Sequence, residues 1–205
     1  MKSLLHILVE NLYLLIAGVI GFTSAVLSEP FRHWIWGPKL KVEFIKSGKG
    51  FVTDTRLNGI EDAHYVRVKV LNKGRQIAKQ CRAYLVNVEK WNNATNKFES
   101  TDYCDSLQLA CSAQENPEEP YAAYRALDMP KGVPQFIDIV MTIKSHSNYI
   151  IKTRMLLNRY KPLFQEHGKF QYTVLVSGDN AKPKSKKVIF NWSGDWDNFE
   201  VSAGK

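Results

Sequence analysis

The stretch TDYCDS sets Asp102 and Asp105 on either side of Cys104, and Glu118 and Glu119 follow in QENPEEP. Paired carboxylates can hold calcium or move protons. Here both pairs lie in polar, turn-rich sequence and read as solvated loop charges. Asp195, Trp196 and Asp197 in WSGDWD read the same way, with Trp196 packing over the end of the fold. His6, His33, His64, His146 and His167 are scattered, and none stands at HExxH-type spacing from another. No GxSxG, Walker or GxGxxG sequence is present. The sequence therefore assigns no catalytic residue, no cofactor and no metal ligand, and the chain reads as a non-enzyme.

Cys81, Cys104 and Cys111 are odd in number and form no CxxC, so they suit neither a disulfide framework nor a zinc site. Unpaired cysteines fit a reducing compartment. The formal net charge of +8 permits an anionic partner, but the cations are spread along the chain and do not indicate nucleic acid. The densest run is KPKSKK, with Lys182, Lys184, Lys186 and Lys187. It is expected at a hairpin tip, where it could contact an anionic surface or keep a strand edge from aggregating.

These residues need elements to position them. Leu12 to Leu27 reads LYLLIAGVIGFTSAVL, without a charge, Pro, Asn or Gln. Continued back through Asn11 and Glu10 to Leu4, it is long enough for a membrane core of ~30 Å, and it has no polar face. SEPFRHWIWGPKLK follows it, placing Trp34 and Trp36 among Arg32 and Lys39, as a membrane–water boundary favours. The expectation is a transmembrane helix over 1–28, a juxtamembrane linker over 29–38 and a β domain over 39–205. Lys2 alone precedes the span, whereas Arg32, Lys39, Lys41 and Lys46 follow it, which puts the β domain in the cytoplasm. Along the helix Glu10, Ala17, Gly21 and Ser24 share a face, and Ala25 extends the small-residue spacing. Such a face suits helix–helix packing, with Glu10 turned to a partner helix.

After Pro38 the apolar period falls to two. Strands are expected over 39–45, 63–71, 80–91, 106–111, 135–143, 148–156, 169–177 and 186–192. Val66, Val68 and Val70 should share one face, and so should Ile137, Ile139, Met141 and Ile143. Met155 to Phe164 is an alternative short helix, NKG gives turn chemistry because Gly74 can adopt positive φ, and the tail after Asp195 should be weak or irregular. Many short strands without an amphipathic helix define an all-β, immunoglobulin-like antiparallel sandwich, with a small barrel as the alternative.

The stretch YVRVKVLNKGRQIAKQCRAYLVNVE resembles the strand–NxG–strand hairpin of bacterial immunoglobulin-like modules, through Val68, Val70, Asn72, Gly74 and Ala78. VSGDNAKPKSKKVIFNWSGDWD is similar to the closing hairpin of uncharacterised bacterial single-span membrane proteins that carry such a domain. The resemblance implies a fold and no activity. The functional expectation is a membrane-anchored binding or sensor module in the inner membrane, whose partners are the bilayer and a protein or a second copy of the chain. One alternative is an oligomeric effector assembled through Glu10, Ala17 and Gly21. Another is an exported adhesion or carbohydrate-binding module.

Overall fold

A computed structural model describes residues 2–48, 50–57, 61–114, 118–119 and 121–204. Within α1 and β2, the side chains of residues 2–11, 27, 29–34, 56 and 57 lie outside the described set. The chain forms two compact units, Met1–Gly37 and Pro38–Lys205.

The first unit is one helix, α1, from Lys2–Trp36. It continues through most of the stretch expected to be a linker. Between Leu12 and Val26 every side chain is exposed, and the large apolar ones are 47–71% accessible. Among the described residues, no helix is long and apolar enough to cross a membrane.

The second unit is built of antiparallel strands. In chain order they are β1 (Leu40–Glu43), β2 (Val52–Leu57), β3 (Glu61–Asn72), β4 (Ala78–Asn92) and β5 (Lys97–Ser100). Then come β6 (Leu107–Gln108), β7 (Ala110–Cys111), β8 (Leu127–Met129), β9 (Gln135–Ile143) and β10 (Ile150–Ile151). The last are β11 (Gly168–Gly178), β12 (Ala181–Trp192) and β13 (Phe199–Ala203). One sheet runs β1-β3-β9-β10, with β2 on β3 and β7 on β9. The other runs β13-β12-β11-β4-β5, with β6 and β8 on β4. A single main core joins them. Val66, Val68 and Val70 of β3 pack with Leu85 and Val88 of β4, Tyr172 of β11, and Phe190 and Trp192 of β12.

Several expectations need correction. Ile137 and Ile139 belong to the main core, but Met141 and Ile143 pack with Ala63 and Tyr65 in a separate cluster. Opposite Val66 and Arg67, β9 carries one extra residue, Ile139, because Val66 pairs with Val140 and Arg67 with Asp138. That bulge turns Ile139 and Val140 both toward the main core and reverses the alternation beyond them. The strand expected over 106–111 is split: β6 joins one sheet through β4 and β7 the other through β9. The strand expected over 148–156 shrinks to the two residues of β10. Helical character after it is confined to 3-10 turns at Asn158–Tyr160 and Leu163–Gln165. The KPKSKK run is not a hairpin tip. Lys182, Lys184, Lys186 and Lys187 all lie within β12, and only two residues separate it from β11. The tail contains an ordered strand, β13.

The NKG turn is built differently from expectation as well. Gly74 is not among the glycines with positive φ. The fully buried Asn72 side chain makes the turn instead. Its Oδ1 accepts from the backbone N–H of Gly74 (2.9 Å) and of Lys39 (3.1 Å). Its Nδ2 donates to the carbonyls of Gln76 (2.7 Å) and Met129 (3.0 Å). One side chain thus ties together β1, the β3–β4 turn and β8.

Candidate functional site

Two open grooves flank opposite halves of β4. The first, of about 490 Å³, lies beside Lys90, with Asp102, Arg159, Tyr160 and Glu166 in its wall. Tyr160 and Phe164, four residues apart, are buried and anchor the two 3-10 turns. The Tyr160 hydroxyl donates to Asp105 Oδ2 (2.7 Å) and accepts from the Cys104 backbone N–H (3.3 Å). Cys104 Sγ lies 3.4 Å from the same hydroxyl. Arg159 also bonds Asp105. The Tyr160 hydrogen bond, followed by Arg159, holds the Asp105 carboxyl below its ordinary range. Burial, followed by the hydrogen bonds to Cys104 and Asp105, raises the Tyr160 phenol. The acid is thus kept ionised and the phenol neutral, which suits a clamp on the TDYCDS loop better than proton transfer. Lys90 pairs with Glu166 across this groove, so its charges are balanced.

The second groove, of about 640 Å³, lies over the first half of β4. There Cys81, Ala83 and Leu85 point into the core, so Gln80, Arg82 and Tyr84 share the outer face. Arg82 and Tyr84 of β4 line it together with Tyr121, Tyr124, Arg125 and Arg154. Among the described residues, none that lines it is acidic. Sequence reasoning did not find this groove. The one available signal was the alternation Gln80-Arg82-Tyr84 opposite an apolar face; the other residues arrive from far along the chain.

His64 and Asp138 mark two further clusters. His64 Nε2 lies 2.9 Å from Asp197 Oδ1, and Nδ1 bonds Asp54. Its ring stacks on Trp196 at 4.8 Å between centroids, and Thr142 Oγ1 donates to the Trp196 carbonyl (2.9 Å). With both ring nitrogens engaged, His64 fastens the WSGDWD loop to β3, and Trp196 packs on the fold as expected. Asp138, fully buried, accepts from Arg67 Nε (2.6 Å) and Ser112 Oγ (2.7 Å), linking β9 to β3 and to the turn after β7. Among the described residues, no cluster of three or more His, Cys, Asp or Glu is placed to hold a metal ion.

The residues singled out from the sequence fall on both units. Ala17, Gly21, Ser24 and Ala25 lie exposed on α1. Trp36 is exposed at the helix end, and Lys39 is exposed at the start of the second unit. The side chains of Glu10, Arg32 and Trp34 lie outside the described residues. On β12, Lys182 and Lys184 are exposed, and Lys187 reaches Glu89 at 3.3 Å. Asp102 faces the first groove and Glu119 pairs with Arg125 at 2.9 Å. All three cysteines are free, with Cys104 exposed.

Fold and site together define a two-sheet antiparallel β protein with an N-terminal helix and concave surfaces on its longest strand. No protein-family model, no curated protein and no solved structure matches the chain.

Proposed function

We propose that this chain is a membrane-anchored, non-enzymatic binding module. In this reading α1 sits in the bilayer, and the immunoglobulin-like sandwich is held at the cytoplasmic surface of the inner membrane. The observation that carries it is the exposed, chargeless circumference of α1 from Leu12 to Val26. A helix that is apolar all round belongs in a core or in lipid, and these side chains are accessible on every side. The apolar sequence runs on from Val26 to Leu27, and back through Asn11 and Glu10 to Leu4, which lengthens the segment toward a full span. Arg32, Lys39, Lys41 and Lys46 after the helix, against Lys2 before it, support the cytoplasmic orientation, as do the free cysteines.

Flotation of the full chain with liposomes tests the anchor. The wild type should float with the vesicles, whereas Ile16→Lys combined with Ile20→Lys should stay behind. Each lysine at mid-helix costs about 3 kcal/mol on an insertion scale. A wild type that stays monodisperse in buffer without lipid overturns the reading. Orientation is tested at Cys104. A membrane-impermeant maleimide should spare it in intact spheroplasts and label it once they are permeabilised. Labelling before permeabilisation would show the domain outside and favour an exported module.

A further inference from the structure

We propose that the groove over the first half of β4 binds a nucleotide, with its phosphates on arginines and its base on tyrosine. The assignment concerns the β unit alone, so it stands or falls separately from the membrane anchor.

The charge of the groove comes first. Arg82, Arg125 and Arg154 line one concavity of about 640 Å³, and among the described residues no carboxylate lines it. Among the described residues neither Arg82 nor Arg154 forms an ion pair, and Arg125 has Glu119 at 2.9 Å. Arg82 and Arg154, without an acid partner among the described residues, make with Arg125 a site of excess positive charge that suits an anion. Their planar, fork-like donors match phosphate oxygens two at a time. The neighbouring groove lacks this excess, because Lys90 and Arg159 already hold Glu166 and Asp105.

The tyrosines narrow the choice of anion. Tyr84, Tyr121 and Tyr124 line the same groove. Tyr121 is 66% exposed, and the Arg154 guanidinium lies 5.8 Å from its ring centroid. An aromatic ring beside a guanidinium is a platform on which a base can stack. A simple phosphate would have no use for three aromatic rings. The Gln80 side chain adds an amide on the same strand face, able to bond a base edge.

The walls are fixed before a ligand arrives. Gln108 Nε2 bonds the Tyr124 carbonyl, and the Tyr124 hydroxyl donates to the Thr153 carbonyl at 3.0 Å. The Arg154 backbone N–H donates to the Gln108 carbonyl at 2.9 Å, and Tyr84 stands opposite Gln108 in the β4–β6 register. Preorganised walls lower the ordering cost of binding. The size is that of a small-ligand pocket, roughly 300–1,000 Å³. The three arginines line one concavity of small-ligand size, which favours a mononucleotide over a nucleic-acid strand.

Calorimetric titration of the full chain in detergent, at about 0.15 M salt, tests the proposal with ATP, AMP, adenosine and inorganic pyrophosphate. ATP should bind with a Kd below about 1 mM, more tightly than pyrophosphate or adenosine. Arg82→Ala and Arg154→Ala should each weaken ATP by about tenfold or more, and Tyr121→Ala by about tenfold. Asp102→Ala, in the other groove, should leave ATP binding unchanged. All four side chains are surface groups, and an unaltered thermal melt will show that each variant folds. The proposal is overturned if ATP gives no binding, or if the double variant Arg82→Ala, Arg154→Ala binds undiminished. It is also overturned if pyrophosphate matches ATP, leaving a phosphate site alone, or if a single-stranded oligonucleotide binds more tightly than ATP.

Discussion

Asn72 carries more of the fold than any other polar residue described. It is fully buried and uses both halves of its amide on four backbone groups from three segments. Replacing it with alanine leaves two carbonyls, that of Met129 buried, and two N–H groups without their partner. Asn72→Ala should therefore cost about 2–4 kcal/mol, read as a lower urea midpoint with an unchanged slope. Its importance was half legible: the N-x-G spacing announced a turn, but the choice of side chain over positive φ depends on how closely β8 and β1 approach. Asp105 offers a pH-dependent counterpart. Its carboxyl is held low by Tyr160 and Arg159, so its contribution is present above the ordinary carboxylate pKa and fades as pH falls through the lowered value. Asp105→Asn should be less stable than wild type near neutrality. The difference should shrink on acidification below about pH 4, as urea midpoints collected across pH will show. By contrast, burial pushes the Cys81 thiol up to about 11, which leaves it inert as a packing group.

At the scale of elements, periodicity located most of the long strands but not their interruptions. β9 was expected to keep one apolar face, and the bulge at Ile139 divides that face between two clusters. The bulge lies beside the buried Arg67–Asp138 pair, whose members the alternation alone would have turned to solvent. β2, β5 and β13 escaped notice, because short strands at the margins of a sheet carry few apolar residues. The β12 lysines change meaning through register. Val174 and Val176 of β11 face the core, and their cross-strand partners are Lys186 and Lys184. Lysines therefore occupy the inward parity of a strand segment that β13 does not cover, since β13 pairs only from Val188 onward. Inward charge on an uncovered edge blocks pairing with another chain. Lys182→Val combined with Lys184→Val should accordingly raise self-association with little change in melting temperature, as light scattering will detect.

Across the whole molecule, an apolar helix and a two-sheet β unit are joined through Gly37 and Pro38. The two units differ sharply in composition. The helix carries no charge from Leu12 to Val26, whereas the β unit combines a continuous apolar core with a charged exterior. The liposome and nucleotide experiments separate the roles of these units, because one changes only α1 and the other only the β4 groove. A chain that passes both tests would be a nucleotide-binding module confined to the membrane surface, with the protein partner or second copy still to be found by cross-linking.

By itself the sequence determined the apolar helix, the β character of everything after Pro38, the positions of the longest strands and the inward valines of β3. These features are local: each follows from a charge count or a period of two along contiguous residues. Only the tertiary structure decided the bulge in β9, the change of sheet between β6 and β7, and the place of the lysines on β12. Each depends on which strand lies alongside, and a period cannot state its own partner. The same reason hid the arginine–tyrosine groove. Arg82, Tyr121, Arg125 and Arg154 are separated by up to seventy-two residues. They meet because β6 and the segment after β10 fold against β4, and no motif records that meeting.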